Sequence, residues 1–203
     1  MTPIRQRKHY IVKACDHTID LGVKTHIMGI LNMTPDSFSQ DGLLTKGKNA
    51  ALYQARRMMK EGATIIDIGG ESTRPGSKRI SVQREYQRVI PLVKTLKKKI
   101  WLPLSVDTYK KDVAHAGLYE GASLINNIMG AKPNRQLLKL VSQYHAAIIL
   151  MHMKGTPQTM QKNIYYQDVV GDITALLRKS IEICLECGIK SDRIIIDPGI
   201  GFG

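Results

Sequence analysis

Near-continuous apolar runs recur along the chain at 26–32, 64–70, 103–108, 123–127, 147–153 and 193–199. Strands that are apolar on both faces belong to parallel sheets covered by helices. Between these runs the apolar residues take the helical period, at about 49–61, 81–99, a stretch ending near 120, 136–144 and 168–187. Strand then helix, repeated with no visible linker, predicts parallel β/α units. A segment at 10–23 precedes the first run and predicts a short hairpin closing the floor of the structure.

Two architectures carry such a pattern, a doubly wound sheet and a (β/α)8 TIM barrel. No glycine-rich dinucleotide fingerprint follows the first run. Polar residues end nearly every run instead: Asn32, Asp67 with Glu71, Asp107, Asn126 with Asn127, His152 and Asp197. A ring of polar groups at the C-terminal ends of the strands is what a barrel site needs. The expectation is a single barrel domain over 1–203 with about six of its eight units present. It is expected to be incomplete at its C-terminus, since barrels take about 250 residues and Gly203 follows the sixth run.

Composition adds bounds. Hydrophobic residues make up 43% of the 203, too many for a disordered chain. No stretch approaches a membrane span, no secretory h-region follows the basic first residues, and three cysteines make no disulfide framework. A cytoplasmic protein without membrane contact is expected. The charge of +13 raises nucleic acid as a partner, but one Trp and two Phe supply few stacking platforms. Solvated helix faces are the plainer account, and no nucleic-acid partner is expected.

Three constellations carry chemistry. Asp107, Asn126 and Asp197 end separate strands, and barrel geometry points all three into one mouth. Carboxylates are costly there unless a ligand presents paired N–H donors, as the amino-pyrimidinone edge of a fused heterocycle does. Capping of the following turns is the competing role for both aspartates. The loops at 32–39 and 71–77 share hydroxyls, with Phe38 in one and Arg74 in the other. Arg74 can fork onto phosphate or carboxylate, and the hydroxyls with the Asn32 carbonyl suit a hard cation such as Mg2+. The run 197–203 alternates glycines, which lets backbone N–H groups approach a ligand. Cys184 and Cys187 lie in a helix without a second pair, so zinc is not expected. His152 reads as a satisfied rim histidine rather than a general base.

The motifs MGILNMTPDSFS at 28–39, DIGGESTRPG at 67–76, SVDT at 105–108 and IDPGIGFG at 196–203 together resemble the dihydropteroate synthase family. MHM at 151–153 and TPQTMQ at 156–161 also look like that family. The resemblance implies a TIM barrel, a homodimer and a sulfonamide target in folate biosynthesis. It implies condensation of 6-hydroxymethyl-7,8-dihydropterin diphosphate with 4-aminobenzoate, releasing pyrophosphate with Mg2+ present. Carried over, Asp107, Asn126 and Asp197 hold the pterin edge, and Asn32 serves the metal and diphosphate. Thr73 and Arg74, with Pro35 and Phe38, close over aminobenzoate. Met151 joins the substrate-binding set, and Gly201 and Phe202 border the amine pocket. Asn127 stands where the family commonly has Asp, which removes a charge expected beside the pterin. The family's seventh-strand lysine and eighth-strand Arg-x-His fall beyond Gly203. Competing readings are a non-catalytic pterin-binding module and a methyltetrahydrofolate-binding methyltransferase; the loops at 32–39 and 71–76 oppose the latter.

Overall fold

The computed structural model describes residues 8–34, 43–74, 77–129, 134–156, 158–161 and 164–202. An antiparallel hairpin comes first: β1 (Tyr10–Ala14) pairs with β2 (His17–Leu21), Val12 opposite Ile19. The β/α units are β3 (Met28–Asn32) with α1 (Leu43–Lys60), β4 (Ile65–Gly69) with α2 (Val82–Lys97), β5 (Leu104–Asp107) with α3 (Lys111–Tyr119), β6 (Leu124–Asn127) with α4 (Arg135–Gln143), and β7 (Ala147–Met151) with α5 (Val169–Glu186). A 3-10 turn (Ser191–Arg193) leads into β8 (Ile194–Asp197). The sheet is parallel throughout and its strands lie side by side in chain order, β3-β4-β5-β6-β7-β8. A doubly wound sheet reverses its order at a switch point. This one never does, so it is a barrel wall.

Helix starts follow local chemistry. Ser81 accepts the Arg84 N–H at 3.2 Å, Asn134 the Gln136 N–H at 2.9 Å and Asp168 the Gly171 N–H at 3.0 Å, each filling an orphan donor of a first turn. The pattern placed the start of the first helix near 49, but α1 begins at Leu43. Gly47, a poor helix former, hid those first turns.

Alternation along the strands decides what each side chain meets. Ile66 and Ile68 of β4, Leu104 and Val106 of β5, Ile125 of β6 and Ile148 and Leu150 of β7 join one core with Leu92, Leu96, Leu137 and Leu138 of the helices. The opposite parity faces inward. Ile65, Leu124 and Ala147 begin their strands and pack on Val12, Ala14 and Ile19 of the hairpin, with Met28 and Ile195 beside them. The hairpin therefore plugs the N-terminal end of the sheet, the floor role expected of it. The inward residues further along each strand are left to the opposite end. No helix among the described residues is long and apolar enough to cross a membrane.

Leu104→Ala should lower unfolding stability by about 2–5 kcal/mol, because it opens a cavity between sheet and helices. Tyr53→Ala, at a position 72% exposed, should change it by no more than about 0.5 kcal/mol. Urea denaturation of both variants checks this.

Candidate functional site

Register assembles the mouth. Asn32 stands opposite Gly69, Gly69 opposite Asp107, and Asp107 opposite Asn126, so one row crosses four strands. A Cβ at Gly69 would lie 3.1 Å from Asn32 Oδ1 and 3.5 Å from Asp107 Oδ2. Glycine there leaves bare backbone between an amide oxygen and a carboxylate. Met151 stands opposite Asp197 on the last two strands, and Asp197 has the inward parity of Ile195. Asp107, Asn126 and Asp197 thus reach one inner face at one end of the sheet.

Beneath this row lies a second carboxylate. Asp67 is 3% exposed, and its Oδ2 accepts the Asn126 Nδ2–H at 3.2 Å. Its Oδ1 is buried without a hydrogen-bond partner, and Ser105 stands opposite Asp67 on β5. Burial pushes the Asp67 carboxyl up, and the Ser105 hydroxyl and Asn126 amide pull it part of the way back. Burial pushes Asp107 well above the ordinary carboxylate range, helped by the charges of Asp67, Glu85 and Glu71. A ligand that offers N–H donors or positive charge relieves this crowding.

The Asp197 turn has two functions. Asp197 Oδ1 accepts the Gly199 N–H at 2.7 Å, so the capping role expected as the alternative is present. Gly199 has φ +65, and a Cβ there would sit 1.9 Å from the His152 carbonyl oxygen. Glycine at 199 therefore serves the packing of two turns, not approach of a ligand. Gly201 is exposed, and a Cβ there would meet nothing within 4 Å. Phe202 is half-buried against Ile128, Met151, Met153 and Met160, an apolar patch beside the mouth. His152 is buried; its Nε2 lies 3.3 Å from the Tyr166 hydroxyl, while its Nδ1 is buried without a hydrogen bond, so the histidine expected to be satisfied is only half paired.

Thr73 and Arg74 are half-buried in the loop after β4. Thr73 lines a hollow of about 10 Å3 with Asp107, Glu71, Glu85 and Thr108. The Arg74 carbonyl accepts the Ser77 N–H at 3.1 Å. Pro35 and Phe38 lie outside the described residues. Asn32 is exposed at the rim. Among the described residues no group of three or more His, Cys, Asp or Glu side chains could hold a metal. The Asn32 carbonyl is a hard donor that fits Mg2+ arriving with waters and phosphate oxygens. Cys184 and Cys187 are buried free thiols.

The structure corrects one reading. Asn127 has the parity opposite to Asn126, is 2% exposed, and accepts the Met129 N–H through Oδ1 at 3.0 Å. It caps a turn on the helix side of the sheet, so a charge at 127 would not sit in the mouth. Sequence reasoning also missed a buried ionic cluster. Lys110 Nζ donates to Glu71 Oε2 at 2.6 Å and to Glu85, and the Tyr109 hydroxyl donates to Glu71 Oε1 at 2.9 Å. The available signal was Glu85, an acid on the same helical stripe as Val89, Leu92 and Leu96.

A family model described as pterin-binding enzyme matches residues 28–203. Dihydropteroate synthases of Synechocystis and Bacillus subtilis are 43% and 44% identical, over 90% and 88% of this chain and 63% and 60% of their own lengths. The chain thus spans less than two thirds of these curated relatives. The Yersinia pestis dihydropteroate synthase solved with a sulfonamide drug superposes with TM-score 0.88 at 42% identity, covering 95% of this chain and 69% of that one. A Xanthomonas albilineans dihydropteroate synthase solved with 4-aminobenzoic acid gives 0.84 at 37%, covering 97% and 68%.

Folded Asp107 and Asp67 hold their protons more tightly than the ordinary value of 3.8 allows. The folded state then binds more protons than the unfolded one, so stability falls as pH rises from 3.8 through the raised values. Asp107→Asn should raise the Tm of the unliganded chain by a few degrees at neutral pH, and the gain should vanish toward pH 4 and below. Calorimetry across pH 4–8 checks the sign.

Proposed function

This chain belongs to the family of pterin-binding enzymes, and we propose that it acts as a dihydropteroate synthase. It condenses 6-hydroxymethyl-7,8-dihydropterin diphosphate with 4-aminobenzoate and releases pyrophosphate. The observation that carries this reading is the inward row of Asn32, Asp107 and Asn126, with Asp197 on the same face.

Asp107 and Asp197 accept paired N–H groups from the pterin edge, and Asn126 adds an amide whose orientation Asp67 fixes. Met151 and Phe202 supply an apolar wall beside the ring. As the C–O bond to diphosphate breaks, positive charge spreads over the pterin, and the carboxylates stabilise it. The arylamine nitrogen then bonds to that carbon and sheds a proton to solvent. Arg74 and Thr73 orient the amine, which needs position more than activation. Asn32 would hold Mg2+, which when bound neutralises diphosphate as a leaving group. No side chain forms a covalent intermediate. A homodimer in the cytoplasm belongs to the same reading.

The test is titration of the whole chain with 6-hydroxymethylpterin, followed by fluorescence, with turnover assayed on the same sample. Asp107→Ala should weaken pterin binding about tenfold or more, since ligand donors lose a charged acceptor. Arg74→Ala should raise the KM for aminobenzoate and leave pterin affinity within about twofold. Equal loss of both ligands from either change would contradict this division. Pterin binding without turnover would make the chain a binding module instead.

A further inference from the structure

We propose that Glu71 is a positioning residue: clamped by Tyr109, Lys110 and the Ile80 N–H, it sets where the loop carrying Thr73 and Arg74 sits over the mouth. The ligand's identity rests on the function proposed above; the clamp itself does not. Both oxygens of the Glu71 carboxylate are engaged. Oε1 accepts the Tyr109 hydroxyl at 2.9 Å, and Oε2 accepts the Ile80 N–H at 2.9 Å and Lys110 Nζ at 2.6 Å. Glu71 opens the loop and Ile80 closes it, just before the Ser81 cap of α2. One carboxylate therefore joins the two ends of the loop to each other.

It also joins them to the pterin side. Tyr109 and Lys110 follow Asp107 by two and three residues, between β5 and α3. Lys110 donates in addition to Glu85 of α2. Arg88 of α2 donates to the Gly70 carbonyl at 2.8 Å, and the Ser77 hydroxyl to the Ser72 carbonyl at 2.6 Å. The side chains of Glu71, Lys110 and Glu85 are 11%, 10% and 1% exposed. Charged hydrogen bonds at that depth are strong and directional. The base of the loop cannot shift against Asp107 without breaking them.

Stability alone is a poor reason for this cluster. Two carboxylates share one ammonium, and Glu85 Oε1 is buried without a partner. Apolar side chains of similar volume commonly stabilise a fold as well as a buried ion pair does. What an apolar cluster would not supply is a fixed direction at both ends of a loop. Burial disfavours the Lys110 ammonium, but its hydrogen bonds to Glu71 and Glu85 outweigh this and raise its pKa, so the clamp stays charged. Thr73 and Asp107 line the same hollow as Glu71 and Glu85, which places the clamp between the two substrate halves of the site.

Amide hydrogen exchange on the whole chain, with no ligand, tests the clamp. Glu71→Leu should speed exchange at 77–81 about tenfold or more and leave the β5–β7 amides unchanged. Tyr109→Phe, a milder change that keeps the ion pair, should give a smaller acceleration in the same segment. Unchanged exchange at 77–81 in both variants would overturn the clamp. Turnover then tests positioning: the KM for aminobenzoate should rise about tenfold in Glu71→Leu, with pterin affinity within about twofold and Glu71→Gln recovering part of the loss. Faster exchange with an unaltered aminobenzoate KM would reduce Glu71 to a structural tie and overturn the proposal. Absence of pterin binding by the unaltered chain would count against the function above, while the exchange result would still decide the clamp.

Discussion

Strand parity is the constraint from which the rest of the molecule follows. In each parallel strand one set of alternate residues meets the helices and the other meets the interior. Ile66, Ile68, Val106, Ile125, Ile148 and Leu150 take the first set and build the core. The second set changes character along the strand. It starts apolar, with Ile65, Leu124 and Ala147 sealed by the hairpin, and ends polar, with Asp107, Asn126 and Asp197. A slip of one residue would exchange the two faces and put carboxylates among the helices. The core and the mouth are thus set by one register.

The mouth is costly to fold. Asp67 and Asp107 crowd each other below the rim, and both hold their protons above the ordinary range because burial disfavours their charge. The nearby ammonium, Lys110, is already shared between Glu71 and Glu85. Buried acid with no further cation beside it among the described residues is tolerated where a ligand supplies the missing donors. The same carboxylates give the site its proposed chemistry, since groups that favour an electron-poor ring also favour positive charge developing on it.

Much of this was legible in the residues. Six apolar runs marked β3 to β8 because parallel strands are apolar on both faces, and no run misled. Polar residues ending those runs marked Asn32, Asp107, Asn126 and Asp197, which the strand register brings to one inner face. Parity was the blind spot: Asn127 looked like a neighbour of Asn126 in the mouth but lies on the other face, where it caps a turn. Gly199 read as an opening for a ligand, and only the tertiary contact with the His152 carbonyl shows why glycine stands there. The Glu71–Lys110–Glu85 cluster joins segments up to 39 residues apart, which local pattern does not reveal.

In the proposed function, acid and amide side chains of this mouth grip the amino edge of a pterin. The most direct measurement compares the affinity of the chain for 6-hydroxymethylpterin with that for the analogue whose 2-amino group is replaced by oxygen. Losing one N–H donor to a buried carboxylate should weaken binding about tenfold or more, and Asp107→Ala together with Asp197→Ala should erase the preference. Equal affinity of the unaltered chain for the two rings would contradict it.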